Sequence, residues 1–181
     1  MTIPDRQRLK TDDFYALFPE SNTPVELIEG EVIVSPSAVP KYQEVTGSIY
    51  AWLRTKAFSL GGKVYIAPLD VRLDDETSVQ PDVMVISAAR IGMIGAKRIE
   101  GAPDLVVEVI SPGSVRMDRV VKFRLYERFG VQEYWLADPE GVIEVFSLRD
   151  GKFALVGACE SGETFTSPLL GQPVPLAELF A

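Results

Sequence analysis

The stretch Asp104-Leu105-Val106-Val107-Glu108-Val109-Ile110 decides how the rest of this chain is read. Five of its seven residues are aliphatic, and their β-branched bias marks a largely buried strand. Alternation sets Val106, Glu108 and Ile110 on one face of that strand and Val107 and Val109 on the other. A carboxylate in such company meets a cation or a donor, or it takes up a proton. A second run, Gln80-Pro81-Asp82-Val83-Met84-Val85-Ile86, places an aspartate at the mouth of another apolar strand. Downstream, Lys122 falls in a helical segment over residues 116–129. Two acids on apolar strands and a base on a helix form the layout of a metal-dependent phosphodiesterase. Asp82, Glu108 and Lys122 are therefore the candidate site.

Each of the three also has a plainer reading. Glu108 fits a core glutamate satisfied by an arginine, and Pro81-Asp82 fits turn chemistry ahead of a strand. Lys122 fits a solvated helix lysine paired with Asp118 four residues earlier. The pairing of two carboxylates on apolar strands favours a site. So does the absence of histidine, which excludes Ser-His-Asp and Cys-His catalysis and any histidine-bearing zinc site. A metal here has oxygen ligands, which favours Mg²⁺ or Mn²⁺.

Outward from these strands, the pattern predicts an α+β fold, a mixed β-sheet flanked by helices. Residues 11–18 read as a short helix with Thr11 as N-cap, stopped by Pro19. A hairpin follows over residues 25–34, turning at Glu29-Gly30. Val45, Ile49, Trp52, Leu53 and Ala57 give residues 41–60 one apolar helical face. Strands are expected at 63–73 (edge or bulged, because of Pro68), 82–86, 105–110, 133–137 and 142–148. Asp150-Gly151 turns the chain into a further strand at 153–157, and the proline-bearing tail from 167 reads as loop before a short amphipathic end. The helix over 117–129 places Val121, Leu125 and Phe129 on one face.

A chain of 181 residues with 46% hydrophobic content supports one core, so a single domain over residues 1–181 is expected. No run reaches membrane-spanning length and no apolar leader is visible, so a cytoplasmic protein is expected. The single Cys159 cannot form an intrachain disulfide. A net charge of −8 argues against a protein that coats nucleic acid nonspecifically. Within residues 116–128, however, five basic residues stand against two acidic ones. The aromatic Tyr134-Trp135 strand and the Asp150-Gly151 hairpin offer surfaces for a homodimer, whose two-fold symmetry would suit action on a duplex.

The chain resembles the Uma2 family of restriction-endonuclease-like proteins, grouped with the PD-(D/E)XK nuclease superfamily. The matching stretches are Glu26-Leu27-Ile28-Glu29-Gly30-Glu31, Gln80-Pro81-Asp82-Val83, Glu108-Val109-Ile110-Ser111-Pro112, and Asp118 through Lys122 and Tyr126. Gly130-Val131-Gln132-Glu133-Tyr134-Trp135, Asp138-Pro139 and the tail match as well. The resemblance implies a restriction-endonuclease-like core and a Mg²⁺-dependent endonuclease acting on DNA. In that pattern Asp82, Glu108 and the backbone carbonyl of Val109 are the metal ligands. Lys122 replaces the strand lysine whose position Ile110 occupies, and Tyr42 stands where the family often has a histidine. Arg116 and Arg119 are candidates to meet substrate phosphates, and Glu26 or Glu31 to supply a further ligand. The rival is a noncatalytic protein that keeps the nuclease scaffold to bind nucleic acid or a protein partner.

Overall fold

The apolar strands pair about the predicted one. A computed structural model describes residues 8–19, 25–34 and 39–180. In chain order the elements begin with α1 (Thr11–Leu17), β1 (Val25–Ile28), β2 (Glu31–Val34), α2 (Pro40–Ser59), β3 (Lys63–Ile66), β4 (Val71–Asp74), β5 (Thr77–Val79) and β6 (Val83–Ile86). A 3₁₀ turn (Ala88–Met93), β7 (Ile99–Glu100) and β8 (Leu105–Val109) follow. A π-helical segment (Met117–Lys122) runs directly into α3 (Phe123–Phe129). The chain continues through β9 (Glu133–Asp138), β10 (Val142–Arg149), β11 (Lys152–Glu160), β12 (Thr164–Thr166), β13 (Pro173–Pro175) and α4 (Leu176–Leu179).

Six strands form the main sheet in the order β11-β10-β9-β8-β6-β3, with β8 and β9 parallel and the other neighbours antiparallel. Its faces divide as the alternation requires. Val107 and Val109 pack with Ile49, Trp52 and Leu53 of α2 and with Val174, Leu176 and Leu179 of the tail. Val106 and Ile110 pack on the other side, with Leu125 and Tyr126 of α3. That side is covered further by a second sheet, β2-β1-β5-β4-β7, through Ile28, Val71, Val79 and Ile99. The candidate site lies on this second face, between two sheets and a helix.

Several expectations are corrected. Residues 63–73 are two strands, not one: β3 ends the main sheet, the chain passes a cis Ala67–Pro68 bond, and β4 joins the second sheet. The second sheet was not foreseen, because β5 and β7 have only three and two residues. Lys10, not Thr11, is the N-cap of α1, and Thr11 is buried with its hydroxyl unpartnered. The tail from 167, expected as loop, contains β13, which pairs with β12 just ahead of it. Tyr134 and Trp135 are both 0% exposed, so they are core residues and form no docking surface. Beneath them, buried Glu133 accepts bonds from Trp135 Nε1 (2.6 Å), Ser167 Oγ (3.0 Å) and the Leu169 N–H (2.7 Å), which pins the tail to β9. Among the described residues no helix is long and apolar enough to cross a membrane.

Two glycines give opposite expectations. Gly30 closes the β1–β2 turn at φ 79°, and an added Cβ would come 2.5 Å from Arg8 Cβ. Gly30→Ala should destabilise by at least about 1–2 kcal/mol in urea unfolding. Gly47, mid-helix in α2, has open space around an added Cβ. Gly47→Ala should stabilise by about 0.5–1 kcal/mol in the same experiment.

Candidate active site

Asp82 lies one residue before the Val83–Val107 rung and Glu108 one residue after it, so continuing that register would bring the two acids together on one face. Continued one residue further, the register would bring Val109 to Pro81, which has no N–H to give. The Val109 carbonyl would then have no ladder donor from that position. Its N–H, facing the same strand, donates to Asp82 Oδ2 at 2.7 Å. Pro81 thus frees a main-chain oxygen beside the carboxylate that follows it. Tyr42, from the start of α2, stands beside the Asp82 carboxylate.

Glu108 is 2% exposed, and Oε1 accepts from the Tyr126 hydroxyl at 2.6 Å and from Lys122 Nζ at 3.1 Å. Lys122 also reaches Glu26 Oε1 at 3.0 Å, so its ammonium bridges β8 and β1. Glu26 Oε1 accepts the Gln80 N–H at 2.7 Å, whereas its Oε2 is buried with no partner. Asp118 is buried beside Lys122, and the carbonyl of Asp118 accepts from the Tyr134 hydroxyl at 3.1 Å.

The π-helical turn explains how one helix delivers three groups inward. In an α-helix, residues four apart overshoot a full turn by about 40°. The wider π turn, with its i→i+5 bonding, falls short of one. The drift from Asp118 to Lys122 therefore opposes the drift from Lys122 to Tyr126, and all three are buried in one column. This corrects the expectation of an uninterrupted α-helix, and the burial of Lys122 rules out the plainer alternative of a solvated helix lysine.

Four carboxylates, Glu26, Asp82, Glu108 and Asp118, share one buried ammonium. Burial drives the Asp82 carboxyl up to about 6, with Lys122 and its hydrogen bonds opposing. Burial also holds Glu108 well above the usual carboxylate range, and it raises Asp118. Burial alone would lower the Lys122 ammonium, but Glu108, Glu26, Asp118 and Asp82 more than offset it and hold it well above its ordinary value. The cluster is short of positive charge.

Its donors are all oxygens. Among the described residues, no three His, Cys, Asp or Glu side chains stand close enough together to hold an ion by themselves. The set that fits is two carboxylates, Asp82 and Glu108, with the Val109 carbonyl; the orphaned Glu26 Oε2 adds a fourth oxygen.

The structure brings Asp82, Glu108 and Lys122 together, and of the two hairpin glutamates offered as a further ligand it is Glu26 that lies buried among them. Glu31, its companion in the hairpin, is exposed. Arg119 donates to Glu144 Oε2 at 2.7 Å, and Arg116 is exposed at the start of the π turn. Ile110 is buried in the core beside α3, away from any catalytic task.

Residues 11–176 match a family model described as "Uma2: Putative restriction endonuclease". No curated protein matches the chain. A crystal structure of a "putative nuclease belonging to DUF820" from Anabaena variabilis ATCC 29413 is similar at a TM-score of 0.77 and 21% identity, covering 95% of this chain and 97% of that one. At that identity the likeness establishes the fold. With the family model spanning nearly its whole length, the chain belongs to the Uma2 family.

Proposed function

We propose that this protein is a Mg²⁺-dependent endonuclease that hydrolyses phosphodiester bonds in DNA, acting in the cytoplasm. The observation that carries this reading is the charge inventory, four carboxylates against one buried ammonium. A hard divalent cation, Mg²⁺ or Mn²⁺, suits an oxygen-only site with that deficit. Asp82, Glu108 and the Val109 carbonyl would hold it, with Glu26 Oε2 as a further oxygen. When bound, such an ion supplies Lewis-acid polarisation of a phosphate oxygen.

The chain's own residues supply the rest. Lys122 orients the attacking water and meets the negative charge that develops on the phosphoryl group. Tyr126 fixes the orientation of Glu108, and the Val109 N–H that of Asp82. Arg116 and Arg119 neutralise flanking phosphates; Arg119 does so by exchanging Glu144, a surface pair worth only about 0–1 kcal/mol. We also retain a homodimer as a proposal, now resting on the β10–β11 hairpin alone. A monomer mass by light scattering would end it.

The experiment is cleavage of duplex and single-stranded DNA with Mg²⁺ or Mn²⁺ against a chelator control. Metal-dependent products support the reading, and an inactive parent would favour the noncatalytic scaffold.

The raised carboxylates give a further expectation. A folded pKa of about 6 for Asp82, above its ordinary 3.8, contributes stability that is complete below about pH 4. That contribution is lost as pH rises through 6. Glu108 and Asp118 shift in the same direction, while Lys122 stays charged across this window. Metal-free protein should therefore melt at a lower temperature at pH 7.5 than at pH 5, and Mg²⁺ should close the gap. Thermal melts at both pH values, with and without Mg²⁺, check this.

A further inference from the structure

Asp118 is a carboxylate only 3% exposed, on the same inward column as Lys122 and Tyr126, yet it stands outside the cation's oxygen set. The Lys122 ammonium gives its two short ion pairs, at 3.0 and 3.1 Å, to Glu26 and Glu108 instead. We infer that Asp118 is the general base of the hydrolysis, taking the proton from the attacking water that Lys122 orients. The inference rests on the nucleic-acid hydrolase reading and says where the proton goes in it.

The main chain of Asp118 is fixed on both sides. Its N–H donates to the Ser114 carbonyl at 2.9 Å, and its carbonyl accepts from the Tyr134 hydroxyl at 3.1 Å. Tyr134 is paired with Val106, which shares a sheet face with Glu108. The start of the π turn therefore lies against the face that carries Glu108, one turn ahead of Lys122. Ser114 Oγ stands beside the carboxylate and donates to the Ser111 carbonyl at 3.3 Å.

Hydrolysis requires the attacking water to lose a proton, and the other groups of the cluster are committed elsewhere. Lys122 already carries its proton, because the carboxylates around it hold the ammonium well above its ordinary range. Asp82 and Glu108 would have lone pairs on the cation. Glu26 has one oxygen on Lys122 and the Gln80 N–H, and its other oxygen belongs to the cation's set. Tyr126 donates its hydroxyl to Glu108 at 2.6 Å, and burial keeps both Tyr126 and Tyr42 protonated. The chain has no histidine. Asp118 remains.

Its surroundings suit the task. Charged groups face it from each neighbouring element: Lys122 and Arg119 from its own helix, Glu26 from β1, Asp82 from the mouth of β6 and Glu108 from β8. The Tyr42 and Tyr134 phenols stand beside them. Burial lifts the Asp118 carboxyl above its ordinary value, with Lys122 the main opposing influence. That direction makes a carboxylate a better proton acceptor near neutral pH.

The step balances without a further reactant. An O–H bond of the water breaks and its proton passes to the Asp118 carboxylate. The electron pair left on that oxygen forms the new O–P bond. The P–O bond to the departing strand breaks, and the departing oxygen keeps that pair and takes a proton from solvent.

The test compares full-length parent, Asp118→Asn and Asp118→Glu in single-turnover cleavage of DNA at saturating Mg²⁺, across neutral and alkaline pH. Calorimetric Mg²⁺ titration and metal-free melts use the same preparations. Asp118→Asn should cleave about 10²–10⁴-fold more slowly than the parent. Its residual rate should climb about tenfold per pH unit, as hydroxide from solution replaces the lost base, while the parent's rate levels off. Asp118→Glu keeps a carboxylate one methylene further out and should stay about tenfold below the parent, with the same levelling profile. The metal-free Asn variant should melt at the parent's temperature or above it, since one excess negative charge leaves the cluster. An Asn variant that cleaves within about tenfold of the parent, or whose rate levels off like the parent's, overturns the base. A fall in Mg²⁺ affinity of about 10–100-fold also overturns it, because Asp118 is then an outer partner of the cation. If Asp118→Asn fails to fold, the Glu variant decides. The parent's full rate in Asp118→Glu overturns the base, and a loss of about tenfold with unchanged melt and Mg²⁺ affinity supports it. An inactive parent removes the hydrolase reading and the base with it, whereas an active parent beside an active Asn variant removes the base alone.

Discussion

Lys122→Ala is expected to lower DNA turnover by about 10²–10³-fold, the usual cost of removing a group that meets transition-state charge. It should also cost about 3–5 kcal/mol of stability near neutral pH, because Glu26 and Glu108 lose the cation lying 3.0 and 3.1 Å from them. The two effects separate by condition. At low pH Glu108, whose carboxyl burial holds well above its usual range, carries a proton and the stability loss shrinks. Mg²⁺ should restore stability without restoring turnover, since an ion can replace the lost charge and cannot replace the amine's reach toward substrate. Lys122→Arg should recover activity in part, because a planar guanidinium does not place a point charge as an ammonium does. Urea unfolding at two pH values and single-turnover cleavage measure both quantities. Full activity in the alanine variant would make Lys122 a structural counter-ion only.

The second large effect belongs to the carboxylates. Asp82→Asn and Glu108→Gln are near-isosteric and keep a neutral acceptor for the Val109 N–H and the Tyr126 hydroxyl. Metal-free protein should therefore hold or gain stability as one excess negative charge leaves the cluster. Mg²⁺ or Mn²⁺ affinity should fall more than about 100-fold, beyond the roughly 10–100-fold that loss of an outer partner costs. Cleavage should be lost with it. Calorimetric titration and thermal melts of the same preparations decide this. A variant that loses stability but binds metal like the parent would place its carboxylate in the structural network instead.

Much of the site was legible because it sits on strands. An acid inside an apolar run announces itself, and alternation correctly assigned Val106 and Ile110 to the side of Glu108. The Pro81-Asp82 pair was readable as a strand mouth, although the freed Val109 carbonyl emerges only from the register. Glu26 was not legible, for a physical reason. Val25-Glu26-Leu27-Ile28 and Glu31-Val32-Ile33-Val34 each hold one glutamate and three aliphatic residues, yet the first is buried throughout and the second largely exposed. Only pairing with β5, some fifty residues away, makes β1 an interior strand. Lys122 was legible as a site candidate, but the way its helix turns it inward was not, because a π-helical turn leaves no mark in three- and four-residue spacing. Tyr134-Trp135 looked like a docking surface until β8 and β10 enclosed its strand on both sides.

The most direct measurement is the anomalous scattering of a crystal soaked in Mn²⁺. The account predicts one peak bounded by the carboxylates of Asp82 and Glu108 and the carbonyl of Val109, at oxygen distances of about 2.0–2.2 Å, with Lys122 beside it and outside the coordination shell. No peak at Asp82 and Glu108, in a crystal of protein that cleaves DNA in Mn²⁺, would contradict it.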